Sequence, residues 1–330
     1  MPLIPKVGRY QWKVRLALLM ITLFLWLGVL LHLFPVWWMF NTSIKVASEA
    51  YKVPPTLWPD NPTLRFYELI FKVTVNNPVL RYPLWIYLKN SFIITAGTML
   101  IQIPVVSLLA YAISKLHRAR ISRFLFLYCI GVIMVPSSVA LIPSYLLLKH
   151  FPFPTMNIPR TPFTNMPFPT YDFIGTYWGV ILPGIYSAFF FLLFKGFFDT
   201  IPDELINAAR LDGASELGIF RRIVFPVSKP VFAVVAYFSF SVTWNNFLWT
   251  LIVLQKNRLY PMSVALYRLQ QWVTEYNPLN PDPLQAELMQ AGIGINGVMV
   301  ISIIQSVPMF IMFVVFREYL MTGIRLRGFK

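Results

Sequence analysis

The chain has 330 residues, 57% of them hydrophobic and only 12% charged, with a mean hydropathy of +0.62. Soluble domains carry roughly 25% charged residues, so this composition excludes an ordinary water-facing globule and requires lipid as part of the solvent. The formal net charge is +15, but the basic residues stand in short clusters between apolar runs, as the positive-inside rule produces, and not as a nucleic-acid-binding face.

Six apolar stretches are long enough to cross a hydrocarbon core of about 30 Å: 16–40, 90–113, 124–148, 177–198, 227–254 and 295–316. The first is too long for a secretory apolar region and lacks a small-residue cleavage site, so it reads as a retained span. Lys6, Arg9, Lys13 and Arg15 precede it. Lys115, Arg118, Arg120 and Arg123 separate spans two and three, Arg210, Arg221, Arg222 and Lys229 separate four and five, and Arg317, Arg325, Arg327 and Lys330 follow six. Alternate loops are therefore short and basic, which puts both termini in the cytoplasm. The expectation is an all-α membrane protein, one transmembrane domain over 1–330.

The outward loops differ in character. The loop 45–89 holds the turn-rich run Pro54, Pro55, Pro59, Asp60, Asn61, Pro62. The loop 150–173 is crowded with proline and phenylalanine, which forbids helix and favours an extended, polyproline-like path. It reads either as a docking surface for an external partner or as an insertion tolerated at a loop tip. In 255–294, Leu266, Leu269, Trp272 and Val273 recur at helical spacing, which suits an interfacial or cavity-capping helix and equally simple packing. Cys129 lies in an apolar run and reads as a buried thiol, excluding an internal disulfide and a Cys-based metal site. His32, His117 and His150 are too scattered for a ligand cluster.

The loop 199–226 is the most informative stretch. Pro202 suits the first turn of a helix, and Asp203 and Glu204 then sit at the positive end of its dipole. Leu205, Ala208 and Ala209 share a face, where small alanines permit close approach by another surface. Gly213 is the left-handed residue expected past a helix end. A second helical run places Ile219, Phe220, Ile223 and Val224 on its apolar side, with Arg221 and Arg222 among its polar positions, and Pro226 opens the fifth span. The product is a compact helix–turn–helix, suited either to relay a push into the bundle or simply to connect two spans.

The run Asn207-Ala-Ala-Arg-Leu-Asp-Gly-Ala214, followed after eight residues by Ile223-Val-Phe-Pro226, resembles the EAA loop of binding-protein-dependent ABC importer permeases. That pattern is E-A-A-x-x-D-G-A, eight residues, then I-x-L-P. Asn207 stands for its glutamate and Phe225 for its leucine, and an asparagine cannot form an ion pair with a basic residue. Glu204, one turn earlier, is the carboxylate expected to compensate. Further matches point to the carbohydrate-uptake branch, in the class of the smaller maltose-permease subunit. They run from Phe34 to Lys45, from Trp58 to Tyr67, over Asn90-Ser-Phe and Leu109-Ala-Tyr-Ala-Ile, and from Arg317 to Ile324. Trp244-Asn-Asn-Phe247 is similar to W-N-[DE]-F, with Asn246 in place of the acid. The basic tail Arg325-Leu-Arg-Gly and the insertion-like loop 150–173 depart from the pattern.

The resemblance implies the type I ABC importer permease fold, with six transmembrane helices and a cytoplasmic helix–turn–helix coupling loop. It implies a multi-pass subunit in the plasma (inner) membrane of a prokaryote. ATPase coupling would fall on Glu204, Asn207, Ala208, Ala209, Asp212, Gly213, Ala214, Ile223 and Pro226. The implied partners are a second permease subunit of different sequence, two ATPase subunits, an extracytoplasmic solute-binding protein and membrane lipid. The chain itself would bind no cofactor, since no G-x-x-x-x-G-K-[ST] phosphate loop is present and ATP with Mg would be used by the partner ATPase. The cargo would be a sugar or oligosaccharide.

A sugar path needs polar groups and aromatic faces inside the bundle, and polar span residues face protein or a water-filled cavity. Gln102, Ser137, Ser138, Thr243, Gln305 and Ser306 qualify, with the best cluster in span five at Tyr237, Ser241, Trp244, Asn245 and Asn246. Helix packing is the competing role for each. Two alternatives stay open: an importer for a non-sugar solute such as a glycerophosphodiester, an opine or a polyamine, and an intramembrane enzyme acting on lipid-linked sugars. Neither G-x-S-x-G nor H-E-x-x-H occurs.

Overall fold

The computed structural model describes residues 11–72, 80–116, 119–151, 171–275 and 294–325. Among these the chain is helical, with one isolated antiparallel bridge between Phe151 and Tyr171. That bridge sits at the two ends of the proline- and phenylalanine-rich loop, whose residues 152–170 lie outside the described ones.

The first apolar run forms α1 (Trp12–Ser43), followed by the short helices α2 (Ala47–Ala50) and α3 (Arg65–Lys72). The second forms α4 (Leu84–Tyr111), continued by a π-helical turn, Ala112–Leu116. The third run is not one helix but two, α5 (Ala119–Gly131) and α6 (Ser137–Lys149), at 103° to each other. The cause is Pro136, which has no N–H to give and drives its predecessor out of the helical region: Val135 is extended at φ −89°, ψ 114°. The fourth run forms α7 (Trp178–Ile181), a 3-10 turn at Leu182–Ile185, and α8 (Ala188–Phe198), whose first turn is capped by Ser187.

The 199–226 segment holds α9 (Asp203–Leu211), α10 (Glu216–Ile219), a π-helical turn at Phe220–Val224 and α11 (Phe225–Val227). Two expectations are corrected there. Pro202 is the cap residue before α9 and not part of its first turn. Pro226 lies inside α11, and the fifth span opens after a break at Ser228 with α12 (Lys229–Trp244), which carries Pro230 in its first turn. That span breaks again at Asn245–Phe247 and resumes as α13 (Leu248–Leu254). The helical pattern near 266–273 is α14 (Met262–Thr274), with Leu269 and Val273 buried. The last run, α15 (Ile295–Arg325), reaches beyond 316.

Four helical stretches are individually long and apolar enough to cross a membrane: Trp12–Ser43, Leu84–Leu116, Trp178–Phe198 and Ile295–Met321. The bent pair made from α5 and α6 qualifies together. The helices group into two compact units, Met1–Ile70 with Trp272–Ile304, and Phe71–Gln271 with Gln305–Lys330.

In the first unit, the apolar face of α1 is exposed along its length, and burial begins at Asn41, Thr42 and Ser43. The segment that follows α1 folds onto that end through polar anchors. Asn41 donates to the Leu57 carbonyl at 2.8 Å, and the buried Lys45 ammonium donates to the Thr56 carbonyl beneath the Trp38 ring. The buried Glu49 carboxylate accepts from the Thr56 hydroxyl at 2.8 Å and the Asp60 amide at 2.9 Å.

In the second unit, α4, α8 and α12 pack together, and α5 packs on α8. Their core is aromatic: Phe190, Phe191, Phe194, Phe198 and Phe220 are all buried. Asn90 and Ser91, inside α4, pin the 258–262 turn, with Asn90 donating to the carbonyls of Arg258 and Tyr260 and Ser91 accepting from the Met262 amide. Gly179 permits the tightest backbone approach, since a Cβ there would stand 2.5 Å from the Phe173 carbonyl oxygen.

Candidate functional site

The 199–226 segment is one rigid piece because its polar groups close on one another. α9 ends in a left-handed turn at Gly213, φ +79°, where a side chain would be strained. The Gly213 amide donates to Arg210 and the Ala214 amide to Ala209, each at 3.0 Å, the paired bonds of a Schellman end. Ser215 caps α10, accepting from the Gly218 amide at 3.2 Å.

Across that turn, Arg210 Nε donates to Glu216 Oε1 at 2.7 Å, and its other nitrogens donate to Asn207 Oδ1 and the Lys115 carbonyl, both at 3.0 Å. The Tyr111 hydroxyl donates to Glu216 Oε2 at 2.8 Å. One carboxylate thus joins α9, α10 and the end of α4. Lys115, its side chain buried, donates to the Ile201 carbonyl and to Asp203, and Lys195 pairs with Asp199 at 2.7 Å. The hydrogen bond from Arg210 holds the Glu216 carboxyl below the ordinary glutamate range, aided by Tyr111 and opposed by burial.

A depressed carboxyl contributes stability above its unfolded-state pKa and loses it as pH falls through the lowered folded value. The gap in thermal midpoint between the wild type and Glu216→Gln is therefore expected to be constant near neutrality and to close below the ordinary glutamate range. Midpoints measured against pH check this, and a gap that persists in acid would contradict it.

The two sides of the segment differ. Ile201, Ile206, Ala209, Ile219, Phe220 and Val224 are buried in the core that also holds Val106, Phe194, Phe198 and Val231 from α4, α8 and α12. The inward face of α9 is Ile206 and Ala209; of the three residues read as one face open to another surface, Leu205 and Ala208 are exposed and Ala209 turns into the core. Leu205, Ala208, Leu211 and Leu217 are exposed, Leu211 at 89%. Glu204, Asp212, Ala214 and Pro226 are also exposed, and Ile223 is half-buried. Asn207 is exposed with its oxygen turned to Arg210. Asn207→Glu is expected to change the fold's stability by no more than about 0.5 kcal/mol, as at other exposed positions, which unfolding midpoints of the two proteins check.

The span-five candidates do not converge. Trp244 is buried between Phe240, stacked at 5.2 Å, and Phe92 at 5.0 Å, and its Nε1 donates to the Gln305 carbonyl. That is a packing position. Tyr237 meets Phe238 and Phe313, while the Ser241 carbonyl accepts from Asn245 at 2.9 Å. Asn246 faces elsewhere, into a cleft of about 740 Å³ in the second unit. Thr98, Gln102, Ser137, Ser138, Ser144 and Thr243 share its wall, together with Phe189, Phe238 and Trp249. Gln102 is used by the fold, donating to the Gly184 carbonyl and accepting from Ser239.

Two groups of residues were missed by sequence reasoning. The brace of Tyr111, Arg210 and Glu216 had one signal, a basic and an acidic residue six apart across a turn glycine. Thr98, Ser144 and Trp249 had none, because only the bend at Pro136 and the break at Asn245–Phe247 bring the cleft walls together.

The molecule is thus a bundle of apolar helices that carries a braced 199–226 segment and a cleft whose mainly apolar wall holds several polar side chains. The chain belongs to the family of binding-protein-dependent transport system inner membrane components, matched over residues 102–320. It is similar to the arabinooligosaccharides transport system permease protein AraQ of Bacillus subtilis (strain 168), 27% identical across 94% of this chain and 95% of that one. It is 33% identical to the sn-glycerol-3-phosphate transport system permease protein UgpE of Escherichia coli O1:K1 / APEC, over 69% of this chain and 73% of the relative. In fold it matches a chain of a bacterial ABC transporter involved in the import of the acidic polysaccharide alginate, with TM-score 0.73 and 20% identity, covering 94% of this chain and 98% of that one. The fold is therefore that of a type I ABC importer permease, and the protein is a multi-pass permease subunit of the inner membrane.

Proposed function

We propose that this permease carries a carbohydrate and is driven by ATP hydrolysed on separate subunits that grip the 199–226 segment. The observation that carries the reading is the two-sided character of that segment. Its inner side lies in the core of the spans, while its outer side leaves Leu205, Ala208, Leu211 and Leu217 uncovered. Exposed apolar residues grouped on a rigid element mark a protein contact, and movement of this element must move α4, α8 and α12.

In this reading six spans cross the membrane with both termini in the cytoplasm, which also places 199–226 there. The partners are two ATPase subunits using ATP and Mg, a second permease of different sequence, an extracytoplasmic solute-binding protein, and surrounding lipid. The chain holds no cofactor of its own. Support for the cargo comes from the relative named for arabinooligosaccharides and the fold neighbour named for alginate. Support for a binding-protein partner comes from the family description and from a related alginate transporter solved with its solute-bound periplasmic protein.

The test is ATP hydrolysis by the complex co-purified with its co-encoded neighbours and reconstituted in proteoliposomes. Stimulation by the sugar-loaded binding protein is the expected result. Solute turnover without ATP or partners would overturn the reading.

A further inference from the structure

The relatives are named for both neutral and anionic solutes, and the cleft wall discriminates between them. Building on the importer reading, we infer that the cleft contributed by this chain accepts uncharged, hydroxyl-rich solutes and rejects carboxylated or phosphorylated ones.

The first support is the charge of the wall. None of the described residues lining the cleft is Lys, Arg, His, Asp or Glu. Sites for carboxylates and phosphates are built from Arg and Lys because a cation must replace the water the anion loses. An anion entering an uncharged wall gives up hydration without a counter-charge, a far larger penalty than that of a hydroxyl.

The second support is the unused hydrogen-bonding capacity. Ser137, Ser138, Ser144, Thr243 and Asn246 line the cleft, the first two exposed and the others half-buried, and their side chains make no hydrogen bond to any described residue. Thr98 is 3% exposed, and its buried hydroxyl has no partner. Buried polar groups ordinarily find partners, and Thr98 is the described wall residue whose buried hydroxyl lacks one; the less buried serine, threonine and asparagine groups around it are free to meet a ligand or water supplying both donors and acceptors. Hydroxyls do both, as do the serine, threonine and asparagine groups that face them.

The third support is shape. Phe238 and Trp249 stand on the same wall, offering apolar planes to the C–H faces of a sugar ring. A few convergent polar groups among apolar and aromatic ones is the usual make-up of a small-molecule site.

The test uses the complete importer in proteoliposomes with labelled arabinotriose and maltotriose against trigalacturonate and sn-glycerol 3-phosphate. The wild type is expected to take up at least one neutral sugar about a hundredfold faster than either anion. Because the binding protein also selects, the wall is tested separately by Thr243→Lys with the binding protein unchanged. This variant is expected to lower neutral uptake at least about tenfold, since the ammonium is stranded in the path. Ser138→Lys repeats the test from another helix should the first variant fail to assemble. Anion uptake comparable to neutral uptake, or neutral uptake unaffected by both lysines, overturns the inference and leaves the importer reading standing. Failure of every solute in the panel to drive ATP hydrolysis or uptake would count against the importer reading itself.

Discussion

Glu216→Ala is expected to cut the number of solutes carried per ATP on the order of tenfold, the loss that follows when about 1.4 kcal/mol of coupling free energy is removed. Glu216 is the point where three elements meet: Arg210 of α9 at 2.7 Å, Tyr111 of α4 at 2.8 Å, and its own helix α10. Without it the guanidinium keeps only Asn207 and the Lys115 carbonyl, and α9 can shift against α10 without dragging α4. Stability falls less than coupling, because the side chains of Arg210 and Glu216 are 34% and 42% exposed and water screens the pair. The loss in unfolding free energy is expected near about 1 kcal/mol. Glu216→Gln, which preserves shape and one acceptor, should recover part of the coupling. Simultaneous measurement of uptake, ATP hydrolysis and unfolding separates the roles. A drop in stability with unchanged solutes per ATP would make the brace merely structural.

The second large effect is on stability. Phe198→Ala is expected to cost about 3–5 kcal/mol, the range for emptying a buried aromatic site. Phe198 is fully buried, stacked on Phe194 at 5.6 Å and edge-on to Phe220 at 6.4 Å. It joins the end of α8 to the 199–226 segment, so the cavity opens between that segment and the spans. Phe124→Ala is the control: Phe124 is 69% exposed on α5 and should cost within about 0.5 kcal/mol. Unfolding in detergent measures both, and equal losses would mean that the aromatic cluster holds no special packing.

Apolar runs located the long helices, because length and hydropathy suffice to recognise a span, but gave no sign of the short α2 and α3 between the first two runs. They missed the bends. A hydropathy window averages across Pro136, although the local rule for residues before proline points to a break there. The two-helix form of 199–226 was legible from Asp203, Glu204 and Gly213, since dipole and turn chemistry are local. Its inward face was not. Leu205 with Ala208, and Ile206 with Ala209, both satisfy helical spacing, and only the aromatic core of α8 decides in favour of Ile206. Trp244 shows the same limit: an indole suits a sugar as well as a phenylalanine, and Phe92, from a distant stretch of chain, claims it. The cleft depends on helices broken at 135 and 246, so its members share no sequence spacing at all.

The central claim is that the exposed side of 199–226 is covered by an ATPase subunit. The chain's only cysteine, Cys129, is buried, so Leu211→Cys introduces one accessible thiol at the most exposed leucine of the segment. In the assembled complex that thiol is expected to cross-link to the ATPase subunit and to resist a water-soluble maleimide, and in the isolated chain to label freely. A thiol that labels equally in both states and yields no cross-link to the ATPase would contradict the account.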